Sequence, residues 1–255
     1  MTDLLSTLQL IDADQICLHE AHEPSRLHRI CEGIKREGVL RHPPLGIRMR
    51  NGRYLIIDGA HRTCALKKLG CLRIPLQVVT KDEVMLESWE HMVPVGAWLD
   101  RLRHHPRLRW EERVEEVNPV AEVVEQDGRR FFLLPVEEGN HDLSRLHLWH
   151  EVVDAYSRDC AVQRLPQGCG QLPDEGKVIL RYPVCRLEEL EQIVLSGNVM
   201  PAGVTRFVVS GRLLNLRIPL HLLTQPVMTD EWEKLCRLWS DSLRLYDEPV
   251  YYCEV

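Results

Sequence analysis

The chain has 255 residues, of which 44% are hydrophobic and 27% charged, a composition that supports one large or two modest globular domains and excludes a disordered chain. No apolar run reaches about 18 residues, the length needed to cross a bilayer, and the start MTDLLSTLQLIDAD lacks the basic segment of a secretory signal, so a cytoplasmic protein with no membrane partner is expected. The formal charge of −6 divides into +1 over residues 1–95 and −7 over the remainder, and neither part is the basic surface that tight non-specific DNA binding requires.

In chain order, Leu8 to Ile16 reads as a first strand and its exit, and His19 to Pro24 as a polar loop. Arg26 to Gly38 repeats Leu27, Ile30, Cys31 and Ile34 on one helical face and stops at Gly38. Strands are expected at Leu45 to Met49 and Tyr54 to Ile57, joined by the Asn51-Gly52 turn, with Arg48, Arg50 and Arg53 decorating a solvated hairpin. Asp58-Gly59 then turns the chain into a helix over His61 to Leu69, ended by Gly70, and Leu72 to Val79 supplies another strand.

Beyond this, Asp82 to Leu102 has a helical pattern interrupted by Pro94, and Glu111 to Glu125 is charged and irregular around Asn118-Pro119. Asp127-Gly128 predicts a hairpin between Val120 to Val124 and Phe131 to Leu134, and Leu143 to Tyr156 is amphipathic. Pro166 to Gly176 reads as a linker or mobile loop, Leu187 to Leu195 as a helix, Arg206 to Ser210 and Leu213 to Ile218 as strands paired around Gly211, and Asp230 to Leu243 as a last helix. The change of pattern near residue 95 suggests two domains, 1–95 and 96–255, and an α/β (α+β) fold class overall.

The chemistry concentrates at Asp58-Gly59-Ala60-His61-Arg62. A buried strand feeding a helix N-terminus presents unpaired backbone N–H groups and the positive end of the helix dipole, and His61 and Arg62 add donors for an anion such as a phosphate. The residues alone fit an ordinary strand-to-helix connection with a solvated arginine equally well. The nine cysteines (17, 31, 64, 71, 160, 169, 185, 236 and 253) are odd in number, scattered and without C-x-x-C, which argues against a disulfide framework and a structural zinc site and for buried thiols. The twelve histidines include His19, His22 and His28 and the pair His104-His105, without an H-E-x-x-H spacing, and most are read as surface residues. His147, His150 and Cys160 carry no haem attachment motif, and a regulatory haem is a minor alternative.

Several motifs together resemble the free serine kinases of the ParB/sulfiredoxin-like superfamily: L-H-E-x-x-x-P-x-R-L at Leu18 to Leu27, I-K-R-E-G-x-x-R-H-P at Ile34 to Pro43, D-G-x-H-R at Asp58 to Arg62 with A-L-K-K-L-G after it, and P-x-x-V-T-R-F at Pro201 to Phe207. S-W-E-H-M-V-P at Ser88 to Pro94 and V-T-R-F-x-x-S-G-R-x-L-N-L at Val204 to Leu216 are similar to the ATP-dependent members that serve siderophore biosynthesis. The resemblance spans nearly the whole chain. It implies a nucleotide-binding N-terminal domain of ParB/sulfiredoxin type, a mixed α+β substrate-binding C-terminal domain, and phosphorylation of free L-serine to O-phospho-L-serine, a precursor for 2,3-diaminopropionate.

It also implies roles residue by residue. Glu20 matches the catalytic glutamate, which orients the serine hydroxyl and accepts its proton late in a loose transition state; by residue type alone it is an exposed loop acid. Asp58 matches a catalytic aspartate that holds Mg²⁺ or positions the substrate. Gly59, Ala60, His61 and Arg62 match the nucleotide-binding turn, where an arginine fork bridges phosphate oxygens. Trp89, Thr205 and Arg206 match the substrate side, with Arg206 facing the serine carboxylate and Trp89 excluding water; alone they read as a core tryptophan, a strand-start threonine and a surface arginine. The donor is ATP or ADP, the cofactor Mg²⁺, and a homodimer is expected. Two other classes compete. A ParB-like DNA-binding or haem-responsive regulator would need a helix-turn-helix with a basic recognition face, which the pattern does not show. A sulfiredoxin-like enzyme would need a cysteine in the turn, where position 60 is alanine and Cys64 lies one helical turn further on.

Overall fold

The computed structural model describes residues 4–21, 24–113, 119–136, 142–225 and 229–246; His22, Asn118 and Cys253 lie outside the described residues. The chain divides into two compact units, one of residues 1–17, 23–83 and 209–255 and the other of 18–22 and 84–208. This division differs from the expected 1–95 and 96–255: the contact pattern changes just before residue 84, and the C-terminal segment from 209 joins the N-terminal one.

The first unit is built on a five-stranded sheet with the order β1 (Leu8–Asp12), β6 (Arg73–Val79), β4 (Leu45–Arg48), β5 (Tyr54–Asp58) and β2 (Ile16–Leu18). β4 and β5 form the expected antiparallel hairpin, β4 runs parallel to β6, and β1 runs antiparallel to β6. Two helices pack together beside it, α1 (Pro24–Glu37) and α2 (Ala60–Lys68). α1 buries Leu27, Cys31 and Ile34, and α2 buries Ala65 and Leu66. Ile47, Leu55, Ile56, Ile74 and Leu76 are wholly buried, so the inner strands read as near-continuous apolar runs. β3 (Val39–Leu40) pairs with β14 (Ile218–Pro219), and α6 (His221–Thr224) and α7 (Thr229–Ser242) complete the unit. The Trp239 indole N–H reaches the Leu216 carbonyl at 2.9 Å, tying α7 to the segment before β14.

The second unit carries a seven-stranded sheet. Its order is β11 (Gln163–Pro166), β7 (Val84–Pro94), β12 (Lys177–Arg181), β9 (Ala121–Val124), β10 (Arg130–Pro135) and β8 (Leu108–Glu111), with β13 (Thr205–Val209) also pairing with β7. The helices α3 (Ala97–Arg103), α4 (Asp142–Ser157) and α5 (Leu187–Leu195) belong to the same unit, which is centred on Met92, Val124, Leu165 and Ile179. Among the described residues no helix is long and apolar enough to cross a membrane.

Three expectations are corrected. Asp82 to Leu102 is not a helix broken at Pro94; most of it is β7, which runs for eleven residues before α3. Pro166 to Gly176 is not a linker, since β11 before it and β12 after it both pair with β7, and within it Gln167 accepts the Ser88 N–H and Gly168 donates to Glu90. The stretches Arg206 to Ser210 and Leu213 to Ile218 do not pair with each other: the first is β13 on β7, and the second is irregular until β14.

Candidate active site

The Asp58 turn forms because β5 is an apolar ladder, with Leu55, Ile56 and Ile57 buried, that ends at a residue able to face water. Gly59 takes a φ of +88°, which favours glycine, and a Cβ there would press to 3.0 Å on the Arg62 guanidinium. The Thr63 N–H closes onto the Gly59 carbonyl, so the N–H groups of Ala60, His61 and Arg62 precede the first intrahelical bond of α2 and converge on one point. Ala60 is buried, as expected of a small residue under the turn, and His61 is half-buried.

Arg62 is engaged by protein groups. Its Nη2 donates to Asp58 Oδ2 at 2.9 Å, and its Nη1 to the carbonyls of His42 and Pro43 at 2.9 and 3.3 Å. Arg212 donates to the same Asp58 oxygen at 2.9 Å. Arg212 is held there by Gln77, a fully buried side chain on β6 whose amide donates to the Gly211 carbonyl at 2.8 Å and accepts the Leu213 N–H at 2.9 Å. Burial by itself would raise the Asp58 pKa, but the two guanidinium groups and the hydrogen bonds from Arg62 and Gly59 outweigh it and hold the carboxyl below its usual range. The turn therefore carries an ionised aspartate between two arginines at the mouth of a helix.

Glu20 lies in the second unit. Its backbone bridges to Met200 in parallel register, with the Met200 N–H on the His19 carbonyl at 2.7 Å and the Ala21 N–H on the Met200 carbonyl at 3.1 Å. Its Oε2 accepts the Gly203 N–H at 3.0 Å. Beside it, His19 is buried, with Nε2 at 3.0 Å from Thr205 Oγ1 and its ring edge-on to Phe207. Glu20 keeps about a fifth of its side chain exposed (22%), enough to meet a small substrate.

Arg206 follows Thr205 but faces the other side of β13, as strand alternation requires. It forms an ion pair with Glu87 and lies over the Trp89 ring at 5.0 Å, a cation–π contact. Glu87 and Trp89 are two apart on β7 and so share a face. Trp89 is half-buried rather than a core residue. The structure thus brings Asp58 to Arg62 and Trp89 to Arg206, and sets Glu20 and Thr205 beside His19, which bonds Thr205.

Sequence reading missed Arg212, Gln77 and Glu87, and it gave His19 no role. The cysteines are less buried than expected: of the eight among the described residues, all free, only Cys31, Cys71 and Cys185 are buried and Cys169 is exposed, while partial burial pushes the Cys64 thiol up, away from a reactive thiolate. His150 points Nε2 at the Val199 carbonyl at 2.8 Å. No group of three metal-ligating side chains occurs among the described residues. One carboxylate such as Asp58 suits Mg²⁺ that arrives already coordinated by nucleotide phosphates.

No protein-family model matches the chain. The ATP-dependent L-serine kinase SbnI of Staphylococcus aureus is 35% identical over 263 residues, covering 100% of both chains. An ATP-dependent L-serine kinase of Staphylothermus marinus is 35% identical over 83 residues, 31% of this chain and 33% of its own. Among solved structures, SbnI with a C-terminal truncation superposes with a TM-score of 0.83 at 33% identity, over 95% of this chain and 99% of the other. A free serine kinase in complex with AMP shares the fold, with a TM-score of 0.64 at 20% identity over 85% and 93% of the two chains.

Proposed function

Since this chain belongs to the ATP-dependent L-serine kinases of the ParB/sulfiredoxin-like superfamily, we propose that it transfers the terminal phosphoryl group of ATP to the hydroxyl of free L-serine, giving O-phospho-L-serine. The observation that carries this reading is similarity over the full length of an L-serine kinase, which includes every motif that bears a polar side chain described above. O-phosphoserine is an activated serine suited to 2,3-diaminopropionate formation, and siderophore assembly is the pathway it fits. The cytoplasm is the compartment that suits ATP, free serine and free thiols, and it is the location proposed for this reaction.

The first unit supplies the nucleotide side. The N–H groups at the start of α2, with His61, take phosphate oxygens, and Arg62 and Arg212 add positive charge where negative charge accumulates on the transferred group. Mg²⁺, when bound, neutralises the phosphates, and Asp58 is the residue that would hold it. Phosphoryl transfer has a loose transition state, so the protein's task is positioning and charge stabilisation more than covalent chemistry.

The second unit supplies the serine side. Glu20 orients the hydroxyl and takes its proton, and Thr205, set by His19, offers a hydroxyl next to it. Arg206 takes the serine carboxylate in exchange for Glu87, with Trp89 beneath the guanidinium as a dry floor. Arg206→Ala is expected to raise the KM for serine about tenfold with kcat within about twofold, because the contact holds ground state and transition state alike; an unchanged KM in steady-state kinetics would assign the carboxylate elsewhere.

The test of the function is mass spectrometry of the purified protein with L-serine, Mg²⁺ and either ATP or ADP. Phosphoserine with ATP is the expected product. Product with ADP alone would change the donor, and no product with either nucleotide would overturn the reading.

A further inference from the structure

The Glu20 carboxylate is held by a peptide that is itself held from behind. Residues 200–204 are tied at one end by the Met200 contacts with His19 and Ala21, and at the other by the Val204 carbonyl, which accepts the Trp89 N–H at 2.8 Å. Between them lies Gly203, at a φ of +78°, whose N–H grips Glu20. A glycine is the freest joint a chain can have. A Cβ at this position would sit at a left-handed φ that strains an ordinary side chain and would displace the Arg164 guanidinium.

What stiffens it is His91. Its Nε2 lies 2.7 Å from the Gly203 carbonyl and its Nδ1 lies 2.6 Å from the Tyr156 hydroxyl, which lies 2.5 Å from the Tyr182 hydroxyl. A carbonyl only accepts, so Nε2 carries the proton. Nδ1 then offers a lone pair, Tyr156 donates to it, and Tyr182 donates to Tyr156. One fixed acceptor therefore sets every proton in the chain. All three side chains are buried, and burial pushes the His91 pKa down to about 4, which keeps the ring neutral near pH 7 and preserves this order.

We infer that His91 is a positioning residue for phosphoryl transfer, setting Glu20 through the two peptide groups that meet at Gly203. The inference rests on the kinase reading and on the role of Glu20 within it. Removing the imidazole frees the peptide after Gly203 to rotate, and the N–H before it then no longer fixes the carboxylate. Errors of about 1 Å in such a group cost up to about a hundredfold in rate.

The test compares wild type, Glu20→Ala, His91→Leu and His91→Gln as full chains, by phosphoserine formation with ATP and Mg²⁺ and by thermal unfolding. His91→Leu is expected to lose about tenfold in kcat with both KM values within about twofold, and His91→Gln, whose amide N–H reaches the position of Nε2, to recover most of it. Where wild type is active and Glu20→Ala is dead, a wild-type kcat in His91→Leu, or an equal loss in His91→Gln, overturns the inference and leaves the kinase reading intact. An inactive wild type overturns the kinase reading, and an active Glu20→Ala overturns the role of Glu20; the inference falls with either. Should His91→Leu not fold, Tyr156→Phe replaces it, with a kcat loss of about threefold expected and an unchanged kcat overturning the inference.

Discussion

Glu20→Ala is expected to lower kcat for phosphoserine formation by about a thousandfold, within the range removed with a general base, and to leave nucleotide affinity within about twofold. Among the described residues the carboxylate accepts one backbone hydrogen bond, from the Gly203 N–H, and it is partly exposed. Its loss therefore costs only about 1 kcal/mol of stability, so the variant folds and the kinetic effect can be read cleanly. The Asp58 cluster proposed to serve nucleotide belongs to the other unit and, among the described residues, shares no side chain with Glu20, which is why binding is expected to be spared. Product by mass spectrometry and nucleotide titration by calorimetry, on one preparation, check both halves. Turnover near that of wild type would remove Glu20 from the chemistry, and a parallel loss of nucleotide binding would make it a nucleotide ligand instead.

Asp58→Asn carries the second large effect, a fall of about a hundredfold in kcat/KM for the nucleotide, since the carboxylate that fixes Arg62 and Arg212 and would hold Mg²⁺ loses its charge, so the cations that would meet the phosphates are no longer preorganised. It also has a signature in stability. The folded Asp58 carboxyl titrates below its ordinary range because Arg62 and Arg212 outweigh the effect of burial. A group with a depressed folded pKa stabilises the protein fully above the unfolded value of about 3.9, and that contribution disappears as the pH falls through the folded value. Wild type is thus expected to unfold at higher temperature than Asp58→Asn at pH 7, and the two curves to converge as the pH falls below about 4. Melting curves between pH 2.5 and 7 show this directly; curves that stay parallel would mean the two arginines do not depend on the charge of Asp58.

The elements that sequence made legible are those whose signals are local. Gly38, Gly52, Gly59 and Gly70 all take positive φ at the ends of helices or in turns, so reading them as punctuation located α1, the β4–β5 hairpin and α2. The Asp58 turn was legible for the same reason. β7 was not, because at its centre it pairs on both edges and is buried on both faces, which erases the alternation of a half-exposed strand. Glu90 and His91 are charged or polar in sequence and fall in a stretch with a helical pattern, yet both are buried in a strand: Glu90 has Arg181 and the Gly168 N–H, and His91 has Tyr156 and Gly203. Such compensation comes from residues about 65 to 110 positions away and leaves no local trace. Arg212 was hidden in the same way. Its place depends on Gln77, more than 130 positions earlier, and nothing in either segment alone announces the other.

The clamp made by Gln77 has a consequence for how the chain comes to be folded. During synthesis β6 emerges long before residues 211–213, so the buried amide of Gln77 has neither of its two backbone partners until the segment 134 to 136 positions later has been made. The intervening residues 84–208 belong, with 18–22, to the other unit, and domains generally fold as units. The Asp58 turn is therefore completed only when residues 211–213 arrive: a nascent chain stalled before Gly211 carries Asp58 with one arginine instead of two, and a buried amide that only water can satisfy.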